Sequence, residues 1–348
     1  MQQFNLNNLV RENVAKLNPY SSARDEFKDT GSEMVFLDAN ENPFQTDVNR
    51  YPDPQQRDLK AAIGNLKGIN TSKILLGNGS DEVLDLLYRA FCEPKMDNVI
   101  SLPPTYGMYS VLANINNIEN REVLLNDSFQ PNVDEILNSV DKNTKIIFLC
   151  SPNNPTGNSF SKDKVERILT DFSGLVVIDE AYIDFADQES WLLALENYPN
   201  LIITQTLSKA YGLAGIRLGI CYASSEIITI LNRIKPPYNV NELTQKRALE
   251  RVLSKEEVKL EISSLIDQRA VLIKELLQVK FINEIYPTDA NFVLVKVDNA
   301  TQRYNELINK GIVIRNRTTQ PLCNNTLRFT IGKREENKKL IDALKELD

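Results

Sequence analysis

From residue 73 to residue 223 the sequence alternates short aliphatic, β-branched runs with stretches of helical periodicity. The runs fall at 73–76, 98–102, 145–150, 175–178, 201–205 and 218–222. Several are apolar almost without interruption, the pattern of strands buried on both faces of a mostly parallel sheet. Between them, 81–92 sets Val83, Leu84, Leu87 and Phe91 on one helical stripe, and 162–171 is a second helical segment. A strand buried on both faces needs a helical layer on each side, so this part of the chain predicts an α/β layered domain.

The pattern changes after IKPPYNV at 234–240. A charged helical stretch from about 242 to 280, strands at 291–297, 312–315 and 326–332, and a final helix predict a smaller α+β domain. The Pro236–Pro237 pair reads as the boundary. The expected division is 1–44 as an N-terminal arm and part of the small domain, 45–238 as the large domain, and 239–348 as the C-terminal small domain.

Among 348 residues there is no histidine. Ser-His-Asp and Cys-His pairs, HExxH zinc sites and imidazole proton shuttles are therefore excluded. Acid–base chemistry falls to Lys, Tyr, Asp, Glu, Cys or a cofactor. The 40 basic and 47 acidic side chains give a net charge of −7 and a pI near 5.1, a poor match for nucleic acid or an anionic bilayer. A small anionic substrate stays open, because bulk charge is screened over about 8–10 Å and a few local arginines can dominate a pocket. Cys92, Cys150, Cys221 and Cys323 form no CxxC and three sit in apolar strings, as reduced core thiols do. No metal is expected. The first residues lack a hydrophobic leader pattern and no apolar run approaches 18 residues, so a cytoplasmic protein is expected.

Four strings at predicted strand ends carry chemistry. In TQTLSKAYGLAGIRLG (204–219), Lys209 follows a buried strand. A partly desolvated lysine loses its preference for the charged form, and its neutral amine can attack a carbonyl to make a Schiff base. Glycines in the same string permit close backbone approach, and Arg217 offers a planar fork to a phosphate. In VVIDEAY (176–182), Asp179 sits where open α/β sheets place ligands. By itself it reads equally as a helix N-cap, as a magnesium ligand or as the partner of a buried cation. In CSPNNPTG (150–157), Asn154 lies between two X-Pro bonds that invite cis peptides. In LGNGSDE (76–82), a glycine before a helix start at Asp81 leaves free N–H groups for a phosphate, and no GK[ST] follows to suggest a nucleotide.

In their order and separation these strings resemble the fold-type I pyridoxal-phosphate aminotransferases, and within them the histidinol-phosphate aminotransferases. The likeness extends through NPYSSAR (18–24), LDANENP (37–43), RYPDP (50–54), PPTYGMY (103–109), GIVIRNR (311–317) and LRFTIG (327–332), nearly the whole chain. It implies a large domain with a central, mostly parallel seven-stranded sheet, a smaller α+β domain, and pyridoxal 5′-phosphate as cofactor. The implied activity interconverts L-histidinol phosphate plus 2-oxoglutarate with imidazole acetol phosphate plus L-glutamate, in histidine biosynthesis.

The resemblance also implies roles. Lys209 would hold the cofactor covalently and carry a proton between the substrate Cα and the cofactor C4′. Asp179 would bind the pyridinium N–H, and Asn154 and Tyr182 the phenolic oxygen. Tyr106 would stack on the ring. Ser80, Asp81, Thr206, Ser208 and Arg217 would surround the phosphate. Tyr51 would reach the phosphate in a neighbouring subunit, which implies a homodimer with shared active sites. Arg328 would pair with the substrate α-carboxylate, and Arg315 and Tyr20 would read the far end. A guanidinium accepts phosphate or carboxylate alike, so Arg315 does not by itself fix the substrate. Aromatic-amino-acid aminotransferases and threonine-phosphate decarboxylases share the scaffold. A ligand-sensing regulator on the same fold would need a basic DNA-binding segment, which the sequence does not present.

Overall fold

The computed structural model describes residues 4–18 and 34–348. Seven strands form the central sheet: β1 (Ile74–Asn78), β2 (Asn98–Ser101), β3 (Glu119–Glu122), β4 (Thr144–Cys150), β5 (Leu175–Asp179), β6 (Leu201–Thr206) and β7 (Leu218–Tyr222). Their order is β1-β7-β6-β5-β4-β2-β3. β2, β3, β4, β5 and β6 pair in parallel, and β7 is antiparallel to both of its neighbours.

Residue parity along the strands explains the two cores. Leu76, Ile147, Leu149, Val176, Ile178, Ile203 and Ile220 face one side, against Leu59 and Ile63 of the helix Arg57–Lys67 and Val165 and Ile168 of the helix Lys162–Asp171. Leu75, Val99, Ile146, Phe148, Val177, Ile202 and Cys221 face the other, against Val83, Leu84 and Leu87 of the helix Ser80–Phe91 and Ile227 and Leu231 of the helix Ser225–Ile234. Alternate side chains point to opposite faces, so a run apolar at every position buries both.

Four antiparallel strands form the second sheet: β8 (Ile282–Ile285), β9 (Phe292–Val297), β10 (Arg315–Asn316) and β11 (Thr326–Thr330), in the order β10-β11-β9-β8. Leu272 and Leu276 of the helix Lys255–Leu276 and Leu340, Ile341 and Leu344 of the helix Arg334–Lys345 cover one face. On the other face Phe292 and Leu294 join the large domain's own core.

Two element assignments change. The helical stretch 242–280 is two helices, Glu242–Leu253 and Lys255–Leu276, broken at Ser254, whose N–H and hydroxyl both return to the Glu250 carbonyl. The first of them is tied to the large domain: Thr244 Oγ1 donates to the Ile216 carbonyl at 2.8 Å and Arg251 Nε to that of Tyr211 at 3.0 Å. The expected division at 238/239 therefore falls just ahead of a helix held by the large domain. Residues 4–18, within the segment 1–44 expected as an N-terminal arm and part of the small domain, pack on the large one, where Val14 is buried and the Arg11 N–H donates to the Ala90 carbonyl at 3.0 Å. Finally, the strand at 312–315 shrinks to Arg315–Asn316, and two strands, β3 and β8, escape the sequence pattern. Both are partly exposed edges without an apolar run. Among the described residues no helix is long and apolar enough to cross a membrane.

Candidate active site

The register puts the ends of β1, β4, β5 and β6 on one edge, because Cys150 pairs with Asp179 and Asp179 with Thr204. β7 runs the other way, so its first residues reach that same edge: Leu218 opposes Asn78, and Gly219 opposes Thr206. A cleft of about 300 Å³ opens there, closed from above by the second sheet's Arg315, Arg317 and Arg328. Open α/β sheets bind ligands at this carboxyl edge.

Asp179 is the last residue of β5 and only 4% exposed. Burial holds its carboxyl above the ordinary carboxylate range, while hydrogen bonds from Tyr109 and the Ala181 N–H pull the other way. The Tyr109 hydroxyl donates to Asp179 Oδ2 at 2.9 Å, and the Tyr109 ring stacks on Phe148 with centroids 4.9 Å apart. The carboxylate is thus held at a fixed angle toward the cleft, and among the described residues it has no ion-pair partner. A buried carboxylate in this position calls for a cation.

Lys209 lies just past β6 on the cleft wall, its Nζ 5.7 Å from the Tyr182 ring centroid. Burial first, then the nearby Arg328, holds its amine below a lysine's usual pKa. Both effects favour the neutral, nucleophilic form.

Beside it lies an anion cradle. Gly79 caps the helix Ser80–Phe91 without a side-chain hydrogen bond, leaving N–H groups at the helix start for a ligand. A Cβ on Gly219 would lie 2.3 Å from the Ser80 nitrogen, so β7 and the helix start meet this closely only because that residue is glycine. The Ser208 N–H donates to Thr206 Oγ1 at 3.1 Å, which fixes both hydroxyls on the wall. Arg217, in the left-handed region at φ 56°, turns its guanidinium toward Asp81, 3.8 Å away. Tyr106 donates to the other Asp81 oxygen at 3.0 Å and meets Tyr109 edge-on.

Asn154 reaches the cleft from a loop whose Ser151–Pro152 and Asn154–Pro155 bonds are both cis. The neighbouring Asn153, fully buried, anchors that loop by donating to the Pro104 carbonyl at 2.9 Å and to Thr156 Oγ1 at 2.7 Å. Arg328 donates to Asn154 Oδ1 and lies 4.8 Å over the Phe292 ring, whose edge meets Tyr182. Its Nε is buried with no hydrogen-bond partner. Burial and the nearby Arg317 push its guanidinium down to about 10.

Ser80, Asp81, Tyr106, Asn154, Asp179, Tyr182, Thr206, Ser208, Lys209, Arg217, Arg315 and Arg328 thus all line one cleft. Tyr51 does not. It is half-exposed, stacked on Tyr238 at 4.5 Å, and lines a separate hollow with Arg50 and Leu243. Tyr20 lies outside the described residues. Sequence reasoning overlooked Tyr109 and Arg317. Tyr109 stood inside the PPTYGMY string without being singled out, and Arg317 was visible only as the second arginine of Arg-Asn-Arg.

The family model for aminotransferase class I and II matches residues 22–344. The chain belongs to the class I and II aminotransferases. A histidinol-phosphate aminotransferase of Flavobacterium johnsoniae is 67% identical over 349 residues, with all of both chains covered. The crystal structure of the histidinol-phosphate aminotransferase from Clostridium acetobutylicum superposes with a TM-score of 0.80 at 25% identity, over 86% of this chain and 91% of that one. That from Sinorhizobium meliloti in complex with pyridoxal-5′-phosphate gives 0.79 at 23% identity, over 86% and 83%. In this aminotransferase the seven-stranded, mostly parallel sheet carries the amine and the carboxylate, and the second sheet supplies three guanidiniums.

Proposed function

We propose that this aminotransferase holds pyridoxal 5′-phosphate in the cleft and transfers the amino group of L-histidinol phosphate to 2-oxoglutarate, and the reverse, as a step of histidine biosynthesis. The observation that carries the proposal is the pairing of unlike ends in one cleft: Lys209 and Asp179 at the floor, three arginines at the roof. The F. johnsoniae histidinol-phosphate aminotransferase, alike over its full length, supports the choice of substrate.

The residues present fit the cofactor. Asp179 is a buried carboxylate facing the cleft, suited to a protonated ring nitrogen, and the close approach of Gly219 to Ser80 leaves backbone N–H groups for a phosphate. When bound there, pyridoxal phosphate supplies the electron sink that makes the substrate Cα–H bond acidic. Asp179 would keep the ring nitrogen protonated, and Asn154 and Tyr182 would bind the phenolic oxygen. Tyr106 would cover one ring face, while Ser80, Asp81, Thr206, Ser208 and Arg217 would hold the phosphate.

Lys209 Nζ, once displaced by the incoming amine, would take the proton from the substrate Cα and return it as an acid. Arg328 would bind the α-carboxylate of glutamate through a bidentate pair. In L-histidinol phosphate the carbon at that place carries the phosphate ester instead, so Arg328 would pair with a carboxylate in the glutamate half-reaction and lie beside the phosphate in the other. Arg315 would meet an anionic group of either substrate, joined by Tyr20. Tyr51, half-exposed and outside its own cleft, suits a role at the phosphate of a second copy, and a homodimer with shared sites follows from that assignment. Four buried, unbridged cysteines suit a reducing cytoplasm.

Single-turnover absorbance changes with L-histidinol phosphate, phenylalanine and threonine phosphate test the substrate. Histidinol phosphate should convert at the lowest concentration. Conversion of threonine phosphate alone, with release of carbon dioxide, would overturn the assignment.

A further inference from the structure

The roof of the cleft holds one more arginine than two carboxylates require. Strand pairing sets Arg315 opposite Arg328, and the Arg317 N–H donates to the Thr326 carbonyl at 2.9 Å, which carries the ladder one residue further. Alternate residues of a strand point to opposite faces. Arg315, Arg317 and Arg328 therefore share the face over the cleft, and all three line it. The residues between them take the other face: Asn316 Nδ2 donates to Thr301 Oγ1 at 3.3 Å, and Leu327 is fully buried in the small-domain core.

These guanidiniums oppose one another. Arg317 is held below an arginine's usual range by burial and by Arg315, and its Nε, like that of Arg328, is buried without a hydrogen-bond partner. Two orphaned donors beside three like charges are unfavourable for the empty cleft, and an anion between them relieves both. The number of charges points to which anion. A carboxylate offers two oxygens and one negative charge, which a single planar fork satisfies. Glutamate, with two carboxylates, would be matched by Arg328 and Arg315. A third fork has nothing left to bind on a dicarboxylate, whereas a phosphate dianion brings a third oxygen and a second charge.

We propose that Arg317 is the specificity-determining residue that favours a phosphate ester over a carboxylate as the anion held at the roof of the cleft. This rests on the transamination of a phosphorylated amine proposed above. The holoenzyme tests it through its two half-reactions, followed by cofactor absorbance, in wild type, Arg317→Gln and Arg317→Lys. In Arg317→Gln the KM for L-histidinol phosphate should rise by roughly 10- to 100-fold, the range for a lost charge-assisted hydrogen bond. Its kcat, and the KM for L-glutamate, should change by less than about threefold, since neither depends on this contact. Arg317→Lys keeps the charge without the fork and should fall between.

Inorganic phosphate as an inhibitor of the glutamate half-reaction gives a readout independent of histidinol phosphate. Its inhibition constant should rise in Arg317→Gln by the same factor as the KM. Equal losses on both substrates, or unchanged inhibition by phosphate, would overturn the role of Arg317. If the wild type were inert to histidinol phosphate but phosphate inhibition still weakened in Arg317→Gln, the substrate assignment would fall and the anion selector would stand.

Discussion

The floor and the roof of the cleft solve opposite problems. At the floor, polar groups already have protein partners: Asp179 takes Tyr109 and the Ala181 N–H, Thr206 takes Ser208, and Asp81 takes Tyr106. At the roof, Arg317 and Arg328 keep a buried Nε with no partner. Satisfied networks hold a geometry, whereas unsatisfied donors wait for a ligand. The floor is therefore built for one permanent occupant, and the roof for two alternating substrates whose anionic groups differ in charge.

Substitutions at the floor should affect both substrates alike. Removing the amine with Lys209→Ala should have the largest effect, lowering both half-reactions by on the order of 10⁴-fold at unchanged melting temperature. A loss confined to one substrate would break the comparison. Asp179→Asn should slow both half-reactions by roughly 10²–10³-fold, as for other preorganised electrostatic groups. In the cofactor-free protein it should raise the melting temperature. The sign follows from burial: Asp179's folded pKa lies above 3.8, so as pH rises the unfolded chain loses that proton first. Its contribution is therefore complete below the unfolded value and lost as pH climbs through the folded one. Asparagine carries no such proton, and the melting temperature of Asp179→Asn should fall less with pH over that window.

A smaller effect is expected where floor and sheet meet. Gly219→Ala would push a methyl against the Ser80 nitrogen, and overpacking of this kind costs about 1–3 kcal/mol. Thermal unfolding should show that loss, and cofactor should dissociate more readily. The smallest links roof to floor. Arg328 helps hold the Lys209 amine below its usual 10.5, so cofactor uptake by the cofactor-free protein should quicken as pH rises through a midpoint below that value. Arg328→Gln removes a positive charge, and the midpoint should move upward. An unmoved midpoint would mean that burial alone governs the amine.

Much of the floor was legible in the sequence. Lys209, Asp179 and Asn154 each follow an apolar run that could only be a buried strand, and such runs end at the ligand-binding edge of an α/β sheet. The roof was less legible. The strand carrying Arg315 is two residues long, too short to show its alternation, so Arg317 could not be assigned a face until its pairing with β11 was known. Polar edge strands such as β3 left no apolar signature, and the break at Ser254 was hidden inside a continuous helical pattern.

The sequence alone determined which runs are buried on both faces, which strings stand at their ends, and that no histidine side chain takes part. Those are local properties of composition and period. Tertiary structure decided the rest. The reversal of β7 brings Arg217 and Gly219 to the edge where β5 and β6 end, and Tyr109 meets Asp179 across 70 residues of chain. The pairing with β11 turns a second arginine over the cleft. Each depends on which strand lies beside which, and in what register; a shift of one residue would turn those same side chains to the opposite face.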